Sequence, residues 1–549
     1  MGSVLEKIKD VIGVEGDVKD VFIPALNYTS ANITLGGAGY PIGQFHQQFL
    51  AYVEGLDTEQ AGRISLINGL WDAFNDPVMG SITDRTHSRF GRHRPYLLIS
   101  AIPFALAYIF KWTSFGISAT GNLSAVWWWY LFSAIMYSTS YTVAAIPHEA
   151  MLPQVAPSYF LRTQFKIVEY MMNSVGQVSS WVFTALAISG FNVKIALTGL
   201  PDPTPADRGN YAMIGVILSV WFLWPLIFCF FKTSEPPSVG QPHEPLNWRY
   251  LLHEYKLVFS NRSFRQYFII QFFYSLCHSF YGITDQYFII SVASLYKYFN
   301  LFNIIAGTSE FMGSPVNYLL VRYKGKTFCG KLLGPFMVLG LALNSLVSDK
   351  RSSAFNSVIM ISSAVLYNFG FSGPGFVADN IRPDVTDADE LITGRRREGV
   401  IATFYSLFRK TVGSFISYAV GWGLKMFGYD PNKKAPSEQT ALSTFGLRLN
   451  FVFIPAVLAL LCVVAIFRYA MTKEDHELIQ RIIKERHETG CVEVTAEQIA
   501  RLEKITGVKW EDMWIGQGGS ITPTDRPGTP EDGAGKAVDD PGEKYLRQD

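Results

Sequence analysis

Apolar residues follow one another in long runs along most of this chain, and short polar segments separate the runs. A helix needs about 20 mostly apolar residues to cross a bilayer. The runs that meet this length span residues 32–53, 61–83, 96–116, 123–147, 166–190, 211–232, 266–291, 298–322, 331–348, 354–378, 400–425 and 449–471. The pattern therefore predicts an all-α integral membrane protein with twelve transmembrane helices.

A polar, proline-rich segment at residues 233–265 divides the runs into six on each side. We therefore predict two six-helix halves, at 32–232 and 266–471, an organisation typical of transporters built from repeats. Residues 1–31 carry mixed charge without a basic-then-apolar pattern, which predicts an N-terminal cytoplasmic segment rather than a cleaved signal peptide. Basic residues are concentrated in the loops after even-numbered runs. With the loop after run eleven as an exception, this pattern places both termini in the cytoplasm.

The C-terminal tail, residues 472–549, contains two kinds of sequence. The stretches EDHELIQRIIKER and TAEQIARLEKI are predicted to form short amphipathic helices, the second with a Thr495/Gln498 capping box. The sequence after Gly516 is rich in Gly, Pro and Asp, which predicts disorder. A solvated cytoplasmic tail and a tail that regulates or docks a partner are both compatible with these patterns.

Composition narrows the class of protein. Of 549 residues, 49% are hydrophobic and only 17% are charged, and the net charge is +1, which gives no basis for a nucleic-acid partner. The five cysteines show neither paired nor metal-ligand spacing. The chain has no complete zinc, phosphate-loop or serine-nucleophile motif, so we expect neither an enzyme nor a cofactor.

Two acids interrupt the second run, where Asp72 and Asp76 lie four residues apart and Pro77 follows directly. Residues four apart share one face of a helix, and two carboxylates about 6 Å apart repel by about 3 kcal/mol at an effective dielectric near 20. Pro77 lacks the N–H that would bond to the carbonyl of Ala73, which frees an oxygen between the acids. Because intramembrane acids are usually functional, the pair is predicted to bind Na⁺ or H⁺ or to pair with a lysine.

A basic cluster follows the two acids. Gly80 would permit close helix contact, and Asp84 is suited to pair with a basic residue across the loop. We therefore predict a cytoplasmic gate, with a purely topological role of the arginines as the alternative. The predicted gate residues are Gly80, Asp84, Arg85, Arg92, Arg162, Arg397 and Glu398.

Several motifs, in chain order, carry a family resemblance. They are WDAFNDPVMGSITDRTHSRFGRHRP (71–95), IPHEAML (146–152) with LRTQ (161–164), DVTDADELITGRRREG (384–399) and FRKTVGSF (408–415). Together they resemble the glycoside–pentoside–hexuronide:cation symporters, a branch of the major facilitator superfamily. The resemblance covers about residues 32 to 471. It implies the major facilitator fold and cation-coupled symport of a sugar or glycoside by alternating access.

The resemblance also implies an ion site. The family's cation-binding residues fall on Asp72, Asn75, Asp76 and Thr142, and its helix-eleven lysine falls on Lys410, where it would act as a counter-charge. Asp72 and Asp76 would hold the metal ion if the coupling ion is Na⁺. Apart from this ion, no cofactor is implied.

The acids with which the family binds galactosides are absent, because glycines at 35–43 and Ala145 stand at their positions. Polar residues that could replace them in substrate binding are Gln44, Gln47, Gln48, Glu149 and Arg409. His278 and Asp285, seven residues apart on one helix face, could contact substrate or each other.

The substrate stays open at this stage. Arg409 beside Lys410 makes an acidic sugar such as a uronide an alternative to a neutral glycoside. A lipid or another organic solute could use the same fold, since animal relatives carry lysophospholipids, and a non-transporting sensor or scaffold is a further alternative. The expected setting is the cell membrane, with lipid and a small molecule as partners and a monomer as the working unit.

Overall fold

The structure is a computed structural model. It describes residues 6, 17–86, 88–156, 159–198, 202–235, 256–395, 397–433, 435–489, 492–516 and 520–521. The labels α1 to α12 are used here for the helices that fall on the twelve predicted runs, and the shorter helices between them are identified by their bounds.

The N-terminal half begins with a broken helix, α1, that joins short α- and π-helical pieces. These pieces are Val18–Phe22, Ile23–Thr29, Asn32–Gly37, Gly39–Pro41, Ile42–His46 and Phe49–Val53. The following long helices are α2 (Thr58–Asp84), α3 (Pro95–Trp112), α4 (Leu123–Val155), α5 (Tyr159–Ile188) and α6 (Arg208–Lys232). Short helices at Ile117–Thr120, Val193–Thr198 and Pro205–Asp207 lie in the connections.

The C-terminal half repeats the pattern of long helices with short connections. Its helices are α7 (Arg262–Phe288, continued by Ile289–Ala293), α8 (Phe299–Lys324), α9 (Lys326–Leu343), α10 (Ser353–Asn380), α11 (Glu398–Met426) and α12 (Ile454–Arg468). Shorter helices are Tyr296–Tyr298, Asn344–Leu346, Ala441–Arg448 and Leu449–Phe453. The helix Arg382–Thr393, called the acidic helix below, connects α10 to α11.

The described chain is thus nearly all helical, as predicted. Five of its helical stretches are long and apolar enough to cross a membrane, namely Pro95–Thr120, Pro205–Lys232, Lys326–Leu346, Ser353–Thr393 and Ala441–Arg468. Other long helices carry more polar residues, as α2 does with its two acids, and this lowers their hydropathy. The twelve-span count stays a prediction.

The broken helix α1, as described, includes Val18, ahead of the predicted boundary at residue 32. The cause is packing, because Phe22 and Tyr28 are fully buried. The Tyr28 hydroxyl donates to the carbonyl of His148 at 2.7 Å, and the two rings stack with centroids 4.3 Å apart. This end of α1 is therefore part of the bundle.

Glycines let α1 pack tightly on α5. A Cβ at Gly36 would collide with Asn173, and a Cβ at Gly37 would lie 2.5 Å from the carbonyl oxygen of Gly176. The glycine stretch that replaces a substrate-binding acid of the resembled family therefore serves the close approach of two backbones.

The two halves meet along α2 and α11, which run antiparallel. Gly62 near the start of α2 packs on the backbone of Ser417 and Tyr418 late in α11, whereas Asp76 lies against the earlier residue Lys410. The end of α2 and the start of α11 therefore lie at the same face of the bundle. We call it the tail face, because the tail packs there, and we call the opposite face the distal face.

The tail is folded onto the C-terminal half. Its elements are α13 (Lys473–Thr489), α14 (Ala496–Thr506), the helix Trp510–Asp512, and strands β1 (Val492–Glu493) and β2 (Ser520–Ile521), which pair in parallel. The predicted amphipathic helices and the Thr495/Gln498 capping box are confirmed. Their apolar faces are buried, at Ile479, Ile482, Leu502 and Ile505. The described part of the tail is thus packed rather than solvated.

Polar contacts tie the tail to the tail face. The Nε2 atom of His476 lies 2.9 Å from Asp387 Oδ2 of the acidic helix, and Ser263 at the start of α7 donates to the carbonyl of Ile505 at 2.9 Å. The backbone N–H of Trp514 donates to the carbonyl of Ile392 at 2.8 Å. The disorder predicted after Gly516 concerns residues that, apart from 520 and 521, lie outside the described ranges, as does most of the central loop 233–265.

Candidate ion and substrate site

A cluster of charged and polar side chains joins three helices near the middle of the bundle. Lys410 of α11 places its Nζ 3.0 Å from Asp72 Oδ2 and 2.5 Å from Asp76 Oδ2 of α2. The Thr142 hydroxyl of α4 lies 3.2 Å from Asp72 Oδ1 and 3.0 Å from Asp76 Oδ1, where it can donate to either carboxylate. Four of the predicted ion-site residues therefore come together across the two halves.

Small side chains allow α2 and α11 to approach each other closely at this cluster. Gly69, one turn before Asp72, faces Ser414 of α11 so closely that a Cβ would collide with it. The Ser414 hydroxyl turns back to its own helix and donates to the carbonyl of Lys410 at 3.1 Å. Gly69 leaves room for α11 to approach α2, and the Ser414 hydroxyl is already hydrogen-bonded within α11. Lys410 can therefore reach both acids.

The charges of this cluster do not balance. Two carboxylates and one ammonium give a formal charge of −1, while their side chains are only 17%, 20% and 27% exposed. Buried charge is unfavourable unless it is compensated. One further monovalent cation or proton would neutralise the cluster and would weaken the attraction that holds Lys410 between the acids.

Asn75 does not join these contacts among the described residues. Its amide Nδ2 is buried and has no hydrogen-bond partner there. Pro77 lies inside α2, as the sequence predicted, so the carbonyl of Ala73 lacks its usual partner from that residue.

The three predicted glutamines lie in contacts between the halves. Gln47 Oε1 accepts from the Ser417 hydroxyl at 2.8 Å, and Gln48 Nε2 donates to the carbonyl of Ile283 at 3.3 Å. The carbonyl of Gln44 accepts from Gln286 Nε2 at 2.8 Å. These residues close the bundle toward the distal face, and the side chains of Gln47 and Gln48 serve helix contact in this conformation. Gln44 takes part through its backbone carbonyl, while its side-chain Oε1 is buried without a hydrogen-bond partner among the described residues.

The other predicted substrate residues, Glu149 and Arg409, are both exposed. Arg409 is close enough to Asp379 and His278 for their charges to interact, and Glu149 has the same relation to Lys410. Glu149 therefore lies near the ion cluster, whereas these two neighbours of Arg409 are on α7 and α10.

The predicted gate residues lie at or toward the tail face without forming a single cluster in the described contacts. A Cβ on Gly80 would meet open space, and Arg85 is exposed whereas Arg92 is half-buried. Arg162 donates to the carbonyl of Ala156 at 2.9 Å within the N-terminal half. The side chains of Asp84 and Glu398 lie outside the described residues.

Arg397 is the most buried of the gate residues. It forms a two-pronged ion pair with Asp389 of the acidic helix, with Nε at 2.8 Å and Nη2 at 2.7 Å from the two carboxylate oxygens. This pair fixes the junction between the acidic helix and α11 inside the C-terminal half.

Sequence reasoning missed an anchor of the arginine-rich loop. The Glu235 carboxylate, beyond α6, accepts the backbone N–H groups of His93 at 3.0 Å and Arg94 at 2.9 Å and lies 2.7 Å from His93 Nδ1. Burial opposes ionisation, but these bonds hold the pKa of Glu235 below its usual value. A lone glutamate just beyond a predicted helix end gives no sequence signal for this role.

The long apolar helices and the charged cluster between the two halves are the architecture of a multi-pass membrane transporter. The MFS/sugar transport protein family matches residues 27–473, and the chain belongs to that family. Its members and relatives are membrane transporters, so this protein is a transporter and not an enzyme.

Individual relatives are distant but cover most of the chain. The putative glycoside/cation symporter YagG of Escherichia coli is 24% identical over 80% of this chain and 90% of its own length. The isoprimeverose transporter of Lactiplantibacillus pentosus is 25% identical over 78% and 85%. The sodium-dependent lysophosphatidylcholine symporter 1-A of Danio rerio is 23% identical over 84% and 89%.

A solved structure supports the fold. The nucleoside transporter NupG superposes with a TM-score of 0.54 at 14% identity, covering 81% of this chain and 99% of that one. At this identity the likeness concerns the fold alone.

Proposed function

We propose that this protein is a secondary active transporter that couples the entry of Na⁺ or H⁺ to symport of a sugar or glycoside by alternating access. The coupling ion binds at Asp72, Asp76 and Thr142 and competes there with Lys410. The transporter works as a monomer, and both termini lie in the cytoplasm, so that the tail face is the cytoplasmic face.

One observation carries the proposal, namely that Lys410 occupies the space between two carboxylates on the other half of the molecule. An ion that enters this space compensates part of the negative charge and therefore weakens the attraction that holds Lys410 of α11 against the acids of α2. Ion binding therefore acts directly on a contact that must change when the halves rock against each other.

The orientation rests on charge. Basic residues lie at the tail face, namely Arg85 and Arg89 after α2, Arg162 in the first turn of α5 and Lys324 at the end of α8. This agrees with the preference of basic residues for the cytoplasmic side. The described contacts between the halves are concentrated toward the distal face. The conformation is therefore assigned as closed to the outside.

A sugar or glycoside is preferred because relatives named for such substrates match across most of the chain. Aromatic rings also pack between α7 and α10, where Tyr281 stacks on Tyr367 with ring centroids 4.0 Å apart. A lysophospholipid is the second candidate, because the lysophosphatidylcholine symporter matches with similar identity.

The test is uptake into proteoliposomes with an imposed Na⁺ or pH gradient. The panel contains neutral glycosides, uronides and lysophosphatidylcholine. We expect gradient-driven accumulation of at least one glycoside, and accumulation of the lipid alone would favour the second candidate.

Asp72→Asn should abolish this accumulation and leave exchange of labelled for unlabelled substrate, because one of the two ion ligands has lost its charge. Asp430→Asn, at an exposed acid beyond the end of α11, is the control and should behave as the parent. Full accumulation by Asp72→Asn would remove the cluster from the coupling mechanism.

A further inference from the structure

Asp285 of α7 is a buried acid outside the ion cluster. It is 9% exposed, and its Oδ1 accepts the backbone N–H of Gln286 at 2.5 Å. Among the described residues, no Lys, Arg or His lies within ion-pair distance of this carboxylate. The hypothesis that it meets His278 gains no support, because the ring of His278 stacks on Phe371 with centroids 4.9 Å apart.

Asp285 lies within the contacts that close the distal face. Two residues before Asp285, the carbonyl of Ile283 accepts a hydrogen bond from Gln48 Nε2. The residue after it, Gln286, donates through its side chain to the carbonyl of Gln44. Farther toward the distal face, the hydroxyls of Tyr52 and Tyr429 lie 2.5 Å apart. These contacts join α1 to α7 and α11, so the acid is enclosed when the two halves meet here.

In the described part of the chain, the titratable groups found near Asp285 are tyrosines. Tyr40 of α1, Tyr281 of α7 and Tyr296 beyond α7 are near enough to interact with its charge. Tyrosine is neutral at physiological pH, so this environment offers hydroxyl groups but no positive charge.

Three other acids toward the distal face have a basic partner. Glu54 lies 3.5 Å from Arg208, and Lys425 lies 3.1 Å from Asp57 and 2.8 Å from Glu59. A carboxylate that is removed from water without such a partner is far more costly as an anion than as a neutral acid. The closed distal face therefore favours the protonated form of Asp285, and separation of the halves would hydrate the group and favour its anion.

We propose that Asp285 is a second proton-binding site, separate from the Asp72/Asp76 cluster, which takes up a proton when the distal face closes and releases it when that face opens. The ligand is the proton itself. The proposal rests on the alternating-access cycle proposed above, and it makes the balance between open and closed states depend on pH at the distal side.

The experiment reports opening of the distal face. Ser417 is buried, and its hydroxyl donates to Gln47 across the contact between the halves, so Ser417→Cys should react with a membrane-impermeant thiol reagent only when this face opens. The parent without the new cysteine supplies the background rate. Labelling from the distal side is measured from pH 5 to pH 8 at fixed Na⁺. Because only the thiolate reacts and its fraction falls as the pH falls, each rate is divided by the rate of Glu438→Cys, an exposed position beyond α11, at the same pH. This ratio is the labelling compared below.

With Asp285 present, labelling should slow as the pH falls, by up to about tenfold per pH unit for a single proton. Asp285→Asn should be slow and independent of pH, because its side chain is permanently neutral. Asp285→Glu should restore the dependence, and Asp430→Asn should leave it unchanged. Full pH dependence in Asp285→Asn, or pH-independent labelling of Ser417→Cys with Asp285 intact, would overturn the proposal.

Asp72→Asn in the same reporter separates this inference from the proposed function. If it stops accumulation but keeps the pH-dependent labelling, the two sites are independent, as proposed. If Asp72→Asn removes the pH dependence while Asp285→Asn retains it, the proton acts at the ion cluster and the second site is wrong.

Discussion

Removal of the Lys410 charge gives the most direct test of ion coupling. Lys410→Met keeps the side-chain length but leaves Asp72 and Asp76 without their cation. At about 3 Å and an effective dielectric near 20, each ion pair corresponds to about 5 kcal/mol before desolvation is subtracted. Breaking a buried pair costs about 3 to 5 kcal/mol, and the partial exposure of these side chains favours the lower value.

A cost of about 3 kcal/mol corresponds to on the order of 100-fold in affinity. The unpaired acids of Lys410→Met should therefore bind Na⁺ or H⁺ about 100-fold more tightly. Because the ion would then dissociate poorly, accumulation should be lost while exchange of substrate continues. The assay compares exchange and net uptake in proteoliposomes across a series of Na⁺ concentrations and pH values.

Two control variants separate charge from position. Lys410→Arg keeps the charge and should retain ion-dependent exchange. Lys425→Met removes an exposed lysine at the distal end of α11 and should leave the ion dependence unchanged. Wild-type accumulation with an unchanged half-maximal ion concentration in Lys410→Met would refute the competition between lysine and ion.

Two further predictions concern other contacts. Thr142→Ala should raise the half-maximal ion concentration about tenfold, because a hydrogen bond to a charged group contributes about 1.5 kcal/mol, whereas Thr142→Ser should stay near the parent. In the tail, burial opposes ionisation of Asp475, but its bonds with Arg501 and Thr472 hold its pKa below the usual value. The packing of α14 on α13 should therefore weaken as the pH falls through that lowered pKa. Arg501→Gln should increase limited proteolysis of the tail at pH 7 and reduce its acid sensitivity, and equal digestion of the variant and the parent would contradict this.

The ion cluster was the most predictable part of the site. The spacing of Asp72 and Asp76 fixes their shared helix face, and Pro77 marks the same turn. The roles of Lys410 and Thr142 were predicted only from the family resemblance, because nothing in the local sequence shows that α4 and α11 contact α2. Their contacts with the acids are features of helix packing.

The substrate glutamines illustrate what the sequence could not reveal. Polar residues inside a membrane helix indicate a polar neighbour, but they do not show whether this neighbour is substrate or another helix. In this conformation Gln47 and Gln48 bond to α11 and α7. The tail posed the same difficulty, because an amphipathic pattern predicts a buried face without identifying the surface that buries it.

The two acidic sites differ in how their charge is compensated, and this difference gives them separate roles in one cycle. Asp72 and Asp76 keep a positive group between them, so an incoming ion exchanges one cation for another and changes the attraction between α2 and α11. Asp285 has no cationic partner among the described residues, so closure of the distal face changes its charge instead of its partner. Ion concentration would therefore act at the centre of the bundle, while distal pH would act at the closing contacts, and each effect should survive loss of the other.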